Sequence, residues 1–465
     1  MKSKIIINIL FFLLIVIPSV AQPDKDKSFY YDFGERFFAE SYVFPIESVD
    51  SQLVVTIFRF ANSVIPFTKA DINNINDINK NKLTSESFVS YPIIYVEYKD
   101  SQGIIRKRDI WEKEILVGDY EATRNKEIYN FGLISSILTK DNYSIDIELS
   151  NKERTKPRKI KLPILKKLVL NSSPGLSEPI YAYKFNNQEE SEFEPYLMNK
   201  NVGFGSEDCH IFLLASYFNE FEKYYFSVEN KEIRDNKFSW DGKLTFKGVA
   251  TPKTGQYLEF KLDELERIVL TKTILPEGLV KNEKLKIGTL EVILGADKLV
   301  PGKYLMKIWS TSLNDTLSFD FSIEWENMPL SLKNPDYAAE MMYYILPDDE
   351  YKEIKSGSSS KIFKKILDYW KKRDPTPETL YNEAMAEYFR RVDYAFFNFQ
   401  STIDKDGAKT DRGKIYILFG SPDSTERNLG TNNQTVEIWK YNKLKKEFVF
   451  QSNNSGKFEL VKIIN

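Results

Sequence analysis

Acidic side chains and arginines are concentrated in one segment of the chain, between residues 373 and 423. Carboxylates beside guanidinium groups can form ion pairs, hold a charged ligand, or carry out acid–base chemistry with shifted pKa values. A functional pocket would bring the Asp411–Arg412 pair against a helix face that carries Glu383, Glu387 and Arg391. The candidate functional or structural residues are Asp374, Glu383, Glu387, Arg391, Thr410, Asp411, Arg412 and Asp423.

The same residues also have a structural interpretation. Asp411 lies ahead of Gly413 and would close a turn, and an aspartate before Pro375 would end a helix. Glu387 and Arg391 would form a surface ion pair worth about 0.3–0.5 kcal/mol. We favour this interpretation because paired carboxylates are common. A hydrolase-like site would need, in addition, an open cleft in which Asp411, Arg412 and Glu387 converge.

Other reactive combinations are missing from the sequence. The chain has one histidine, His210, and one cysteine, Cys209. Neighbours on a strand point to opposite faces, so we expect no Cys–His nucleophile. We also expect no metal site and no cofactor, because a single histidine and a single cysteine cannot supply the usual ligand sets and no phosphate-binding glycine loop occurs.

The last part of the chain combines two periodicities. Apolar residues recur at helical spacing over 336–346 and 358–372, and Thr376 followed by Pro377 predicts the start of another helix. Alternating patterns predict strands at 414–419, 436–441, 447–450 and 458–461. Residues 331–465 are therefore predicted to form an α+β domain, with helices followed by a small antiparallel sheet.

Upstream, alternating runs separated by polar turns predict two antiparallel β-sandwich modules. The clearest runs are Leu53–Phe58, Ile93–Tyr98, Tyr143–Leu149, Leu290–Leu294, Lys303–Trp309 and Leu317–Ile323. The predicted fold class is multi-domain, with one sandwich over 22–167, a second over 168–330 and the α+β domain over 331–465. The basic stretch 152–167, which contains two prolines, is typical of a linker or of an edge strand protected by charge.

The first 21 residues predict a cleavable signal peptide. Basic Lys2 and Lys4 precede the apolar run Ile5–Ile17, and Ser19 and Ala21 satisfy the small-residue rule for cleavage. The apolar run is shorter than the roughly 20 residues that span a membrane. We therefore expect export to the periplasm or the extracellular space, with no transmembrane helix after cleavage and no lipid anchor.

The overall composition limits the class of partner. Lys and Arg total 65 against 67 Asp and Glu, so no basic excess favours nucleic acid. A hydrophobic fraction of 42% and an aromatic fraction of 14% supply several packed cores. These observations indicate a folded protein whose expected partner is a protein or glycan of the cell envelope.

Six segments in order resemble the bacterial GWxTD domain, a family without an established biochemical activity. The matching segments are Tyr369–Pro377, Asn382–Glu383, Glu387–Ala395, Gly407–Ile417, Gly420–Asp423 and Glu437–Tyr441. The family motif reads Gly407-Ala408-Lys409-Thr410-Asp411 here, with alanine in place of tryptophan. If that tryptophan is a packing anchor, Phe397 or Phe399 would fill the gap; if it stacks on a ligand, this activity would be lost or changed.

The resemblance implies a signal peptide and a β-rich region ahead of the domain, which agrees with the patterns above. Together they favour an exported, non-enzymatic binding or interaction protein. The alternative is a hydrolase-like enzyme with a carboxylate and arginine site in the C-terminal domain.

Overall fold

The computed structural model describes residues 36–465, apart from 49, 72, 74, 77–79, 153–155, 168–174, 185–190, 217, 219–220, 232–244, 277–285, 314, 430–433 and 454. The predicted signal peptide lies outside the described residues. Within the described ranges, no helix is both long enough and apolar enough to cross a bilayer.

The first part of the described chain consists mainly of antiparallel strands, with a short 3-10 helix at Asn62–Val64 and one α-helical turn. In chain order the strands and the α-helical turn are β1 (Phe37–Phe44), β2 (Ser51–Ala61), β3 (Thr68–Lys69), β4 (Phe88–Ser90), β5 (Pro92–Lys99), β6 (Ile105–Glu112), β7 (Ile115–Val117), α1 (Tyr120–Thr123), β8 (Tyr129–Thr139), β9 (Ser144–Asn151) and β10 (Arg158–Lys161). They form sheets in the orders β1-β2-β8, β10-β9-β5-β6 and β3-β4-β7. The basic stretch supplies β10, which is an edge strand as its charge pattern suggested.

Strand β2 is buried on both faces. Val54 and Phe58 pack into a core shared with β5 and β9. Val55 and Ile57 point the other way, into a core shared with the strands that follow residue 175. The three-stranded sheet β1-β2-β8 therefore lies between two hydrophobic cores.

Thirteen further strands follow in the described part of the chain. They are β11 (Gly175–Leu176), β12 (Ile180–Tyr183), β13 (Glu192–Pro195), β14 (Val202–Gly203), β15 (Cys209–Ser216), β16 (Tyr224–Asn230), β17 (Thr245–Ala250), β18 (Lys253–Thr254), β19 (Gln256–Leu262), β20 (Ile268–Ile274), β21 (Ile287–Leu294), β22 (Gly302–Trp309) and β23 (Leu317–Glu324). One sheet has the order β18-β21-β15-β12-β13-β20-β19 with β11 beside β15, and the other has the order β14-β23-β22-β16-β17.

Strand β15 continues the layered arrangement. Cys209, Ile211 and Leu213 fill the core between these two sheets, while Phe212 and Leu214 face the core that β1 and β2 share. One hydrophobic core thus takes residues from both predicted sandwich modules. The predicted boundary between 167 and 168 stays a prediction.

Helices and a small sheet complete the chain. They are α2 (Pro335–Met341), α3 (Asp348–Ile354), α4 (Ser359–Lys371), α5 (Glu383–Asn398), α6 (Asp411–Phe419), β24 (Ser424–Leu429), β25 (Thr435–Tyr441), β26 (Lys446–Ser452) and β27 (Phe458–Ile464). The last four strands form an antiparallel sheet in sequence order. The predicted fold class, antiparallel sheets followed by helices and a small antiparallel sheet, is confirmed.

Two local predictions are wrong. Residues 414–419 belong to helix α6 rather than to a strand, because Thr410 caps the helix by accepting from the N–H of Gly413, and Gly420 ends it at φ +78°. The helix predicted from Thr376 begins only at Glu383, where the Asn382 side chain accepts from the N–H of Met385.

Candidate functional site

The motif loop 406–413 is held by close backbone packing. A Cβ added to Gly407 would lie 2.2 Å from the carbonyl oxygen of Ala395, at the end of α5. A Cβ added to Gly413 would lie 2.1 Å from the carbonyl oxygen of Gly407. Glycine is therefore required at both positions because backbone segments touch there. Packing alone explains the first letter of the motif, Gly407, and the glycine that follows the motif at 413.

Thr410 and Asp411 organise the start of α6. The Thr410 hydroxyl donates to the carbonyl of Gly407 at 2.7 Å and accepts from the N–H of Gly413 at 3.1 Å. The Asp411 carboxylate accepts from the N–H of Leu460, in β27, at 2.8 Å. A carboxylate in the first helical turn also interacts favourably with the helix dipole. Asp411 therefore joins α6 to the last strand of the sheet.

Arg412 forms a buried ion pair with Glu437 of β25. One guanidinium nitrogen lies 3.4 Å from Glu437 Oε2, and the guanidinium packs over the rings of Phe399 and Phe458 at 5.3 and 4.1 Å. Glu437 also accepts from the Trp439 indole N–H at 2.6 Å. Desolvation lowers the pKa of Arg412, while the charge of Glu437 acts in the opposite direction.

Helix α5 carries the candidates Glu383, Glu387 and Arg391. Their contacts are separate from those of Asp411 and Arg412. Glu387 accepts from Arg391 Nε at 2.7 Å and lies 3.6 Å from Arg390. Glu383 accepts from the Thr376 hydroxyl at 2.6 Å. These bonds fix the loop before α5 and the first turns of the helix, and they lie on the protein surface or at its margin.

The remaining candidates lie in turns. Asp374 accepts from the N–H of Thr376 at 3.0 Å, and Asp423 accepts from the N–H of Asn442 at 2.6 Å. The structure brings Asp374 and Glu383 together through Thr376, and Glu387 together with Arg391. It does not join Asp411, Arg412 and Glu387, whose hydrogen bonds run to three different elements.

Ala408 is fully buried in the core of the C-terminal domain. Its N–H donates to Asp406 at 3.1 Å, and its carbonyl accepts from the Tyr344 hydroxyl at 3.0 Å. Phe399 belongs to the same core, whereas Phe397 is partly exposed. Of the two aromatic residues considered as replacements for the family tryptophan, Phe399 therefore shares the core with Ala408.

Two important acidic residues were missed by the sequence analysis. The first is Glu437, which shares every second position of β25 with buried Trp439 and Tyr441. This spacing is the signal that could have placed Glu437 on the inner face of the sheet.

The second is Asp393 of α5, which accepts from the backbone N–H groups of Leu330 and Ser331 at 2.5 and 2.9 Å. Burial raises the pKa of Asp393 to about 6, although these hydrogen bonds lower it.

His210 has a structural environment of its own. Its Nδ1 lies 2.8 Å from Glu291 Oε1, and Lys272 Nζ lies 2.8 Å from the other oxygen. These two partners outweigh desolvation and lower the pKa of Glu291 to about 2. Cys209 faces the opposite core, and burial raises the pKa of its thiol. The two neighbours therefore do not form a nucleophile and base pair.

No group of three or more histidine, cysteine or acidic side chains is arranged to hold a metal ion in the described part of the chain.

The outer face of the sheet β14-β23-β22-β16-β17 carries an exposed aromatic row. Val249, Tyr225 and Trp309 are direct neighbours on three adjacent strands, with 52%, 40% and 38% of their surface exposed. The two rings lie 6.1 Å apart and 19° from parallel. On the same face of the sheet, two residues along each strand from these three, Ser227 lies between Lys247 and Lys307. We call Val249, Tyr225 and Trp309 the aromatic row.

The fold and the motif contacts together define a β-rich protein whose last domain is a set of helices held against a four-stranded sheet by a buried arginine–glutamate pair. Residues 302–463 match the family model of the GWxTD domain, so the last third of the chain carries this domain and the resemblance is confirmed there. The match begins at the first residue of β22. A comparison with curated proteins finds no match.

Proposed function

We propose that this is an exported bacterial envelope or secreted protein that acts by binding a protein partner, and that the aromatic row is the contact surface. The observation that carries the proposal is the exposure of Tyr225, Trp309 and Val249 side by side on a sheet face. Tyrosine and tryptophan are enriched among the residues that dominate binding energy in protein interfaces. Isolated exposed apolar residues are common, but a contiguous row is less so.

The surroundings of the aromatic row indicate the chemistry of the partner. Lys247 and Lys307 flank Ser227 directly behind the row, and neither lysine forms an ion pair within the described part of the chain. A partner with an apolar centre and acidic residues at its rim would complement this surface.

A protein partner is favoured over a glycan because Val249 offers no hydrogen-bonding group. Glycans expose many hydroxyl groups, and each buried hydroxyl without a partner costs free energy. An aromatic platform for a sugar would therefore favour a polar side chain in the position of Val249.

The geometry of the motif supports binding over catalysis. Asp411, Arg412 and Glu387, the three side chains of the hydrolase alternative, are used in separate contacts with Leu460, Glu437 and Arg391. The mature protein is expected to leave peptidoglycan, glycan and peptide substrates unchanged. Turnover that disappears in Glu387→Gln but persists in Trp309→Ala would replace the binding proposal with the hydrolase.

The binding experiment places a photo-crosslinking amino acid at Val249 in the producing bacterium, and the captured partner is then purified. We expect Trp309→Ala and Tyr225→Ala each to weaken the affinity for that partner by about tenfold or more. Leu429→Ala is the matched control, because Leu429 is 82% exposed on a different sheet. Equal affinities for Trp309→Ala and Leu429→Ala would contradict the proposed surface, and capture of glycan alone would replace the protein partner.

Export is tested by fractionation. The full-length protein is expected outside the cytoplasm, shortened at its N-terminus by about the length of the predicted signal. Recovery of the uncleaved chain from the cytoplasm would contradict this part of the proposal.

A further inference from the structure

A cavity of about 390 Å³ lies beside strand β1, away from the motif and from the aromatic row. Its volume falls in the range of roughly 300–1,000 Å³ that is typical of small-molecule sites. The lining residues are Ala39, Glu40, Ser41, Ile160, Lys161, Leu162, Pro163, Ile164, Leu165, Lys166, Glu178, Asn199 and Lys200. They come from the first β-region and from two loops of the second, which join β11 to β12 and β13 to β14; ligand pockets are frequent where two such regions meet.

Apolar side chains form one wall of the cavity. Ile160, Leu162 and Leu165 belong to, or pack against, the core of the first β-region, while Ile164 is two-thirds exposed at the opening. Burying such a surface under a ligand would be favourable by about 25 cal/mol per Å² of apolar area. This wall fits the hydrocarbon part of a ligand.

The polar part of the lining is built around a buried carboxylate. Glu40 is 4% exposed; one oxygen accepts from the N–H of Lys200 at 2.7 Å and the other from the Tyr42 hydroxyl. Lys200 Nζ lies 3.2 Å from Glu178. Both carboxylates of the lining are thus already engaged by donors of the protein itself.

The backbone that supplies this N–H is strained. Leu197, Asn199 and Lys200 all have positive φ, at 47°, 57° and 61°. Such conformations cost of the order of 1 kcal/mol or more for residues other than glycine, and they are frequent at ligand-binding sites. Arg59 Nε donates to the carbonyl of Leu197 at 3.0 Å and helps to hold the segment in place.

The charged side chains of the lining that form neither an ion pair nor a hydrogen bond among the described residues are both lysines. Lys161 and Lys166 line the cavity and are exposed, and within the described part of the chain neither forms an ion pair. An anionic group would therefore find a favourable position beside them, whereas a cation would meet two lysines and carboxylates that already have partners.

We propose that this cavity binds a single-chain amphiphile with an anionic head group, such as a fatty acid. The hydrocarbon chain lies against the wall of Ile160, Leu162 and Leu165, and the carboxylate lies beside Lys161 and Lys166. This site is independent of the proposed partner surface, since the two share no residue.

The test uses the mature protein and dodecanoate, kept below the concentration at which it forms micelles, with calorimetry as the readout. We expect saturable binding of one molecule per chain. Dodecyltrimethylammonium and dodecyl maltoside carry the same chain with a cationic and a neutral head, and each should bind at least tenfold more weakly. Octanoate should also bind at least tenfold more weakly, because each buried methylene contributes about 0.8 kcal/mol.

Charge reversal at the cavity supplies the matched variants. Lys166→Glu and Lys161→Glu should each weaken dodecanoate binding about tenfold, while Lys156→Glu, on the same basic stretch but outside the cavity, should change it less than twofold. All three lysines are exposed, so folding should be retained, which circular dichroism verifies. Absence of saturable binding, equal effects of Lys166→Glu and Lys156→Glu, or tighter binding of the cationic amphiphile would each overturn the proposal.

Discussion

At the scale of single residues, the charged motif is used for structure. Arg412 and Glu437 form the most buried ion pair of the C-terminal domain among the described residues. A buried charge costs free energy unless it is paired, so removal of one partner harms the protein more than the pair contributes in itself. Arg427 reaches the same carboxylate at 2.9 Å from a position with a largely exposed side chain.

The two arginines should therefore respond differently to substitution. Arg412→Met is expected to lower the free energy of unfolding by about 1.5–3 kcal/mol, because Glu437 loses its buried charged partner but keeps its bonds to Arg427 and Trp439. Arg427→Met should cost less than about 1 kcal/mol, as exposed ion pairs usually do. Urea unfolding of the mature chain measures both values, and equal losses would contradict a buried structural role for Arg412.

The raised pKa of Asp393 predicts that the free energy of unfolding depends on pH. Its pKa is raised from 3.8 to about 6, so the folded state binds a proton more tightly than the unfolded state. The stability of the wild type should fall as the pH rises from about 4 to about 6, by on the order of 1–3 kcal/mol, and level off above that.

Asp393→Asn removes the titrating group and is the control for that trend. The difference between wild type and Asp393→Asn, measured by urea unfolding at several pH values, should change across this window and stay constant above about pH 7. Glu291, whose pKa of about 2 places the loss of its contribution between about pH 4.5 and 2, is present in both proteins, so its effect cancels in the difference. A difference that is flat from pH 4 to 7 would contradict a raised pKa of Asp393 in the folded protein.

At the scale of elements, the contact between α5, the motif loop and α6 depends on glycine. Alanine normally favours a helix over glycine by about 1 kcal/mol. Gly413→Ala should instead destabilise the protein by about 2 kcal/mol or more, because the new Cβ would meet the backbone of Gly407. Gly118→Ala, with nothing within 4 Å of the added Cβ, should stay within about 0.5 kcal/mol of wild type in the same thermal melt. Stabilisation by Gly413→Ala would contradict the close packing.

Much of the element pattern was predictable, and the errors have physical causes. Alternation predicted β5 and β22 because each has a buried face whose positions recur every second residue. It failed at 414–419 because Lys-Ile-Tyr-Ile-Leu-Phe is apolar at nearly every position and fits either period. The cap formed by Thr410 and Asp411 was the local signal for a helix.

The candidate site was only partly predictable for a different reason. Pairs close in sequence, such as Glu387 with Arg391, follow from helical spacing. The partners of Asp411 and Arg412 lie in β27 and β25, and the pairing of distant strands cannot be read from one sequence. The polar cluster therefore suggested a pocket, whereas the fold distributes its members among separate contacts.

At the scale of the whole molecule, contacts link the first β-rich region to the segment that follows β23, and the C-terminal domain to the second β-rich region. Glu326 accepts from Arg59 at 2.9 Å and from the Tyr129 hydroxyl at 2.8 Å, both in the first region. Tyr381 packs against Trp325 and Phe204 of the second. The described residues 36–465 form one compact unit, which suits a protein that presents a rigid surface to a partner.

The central claim is that the motif supports the fold while binding occurs elsewhere, and Asp411→Ala tests it most directly. The substitution removes the hydrogen bond to Leu460 and a charge at the start of α6, at a cost of about 1–2 kcal/mol. The account predicts a lower melting temperature and, well below that temperature, an affinity within about twofold of wild type for the partner captured at Val249. An unchanged melting temperature with an affinity at least tenfold weaker would contradict it.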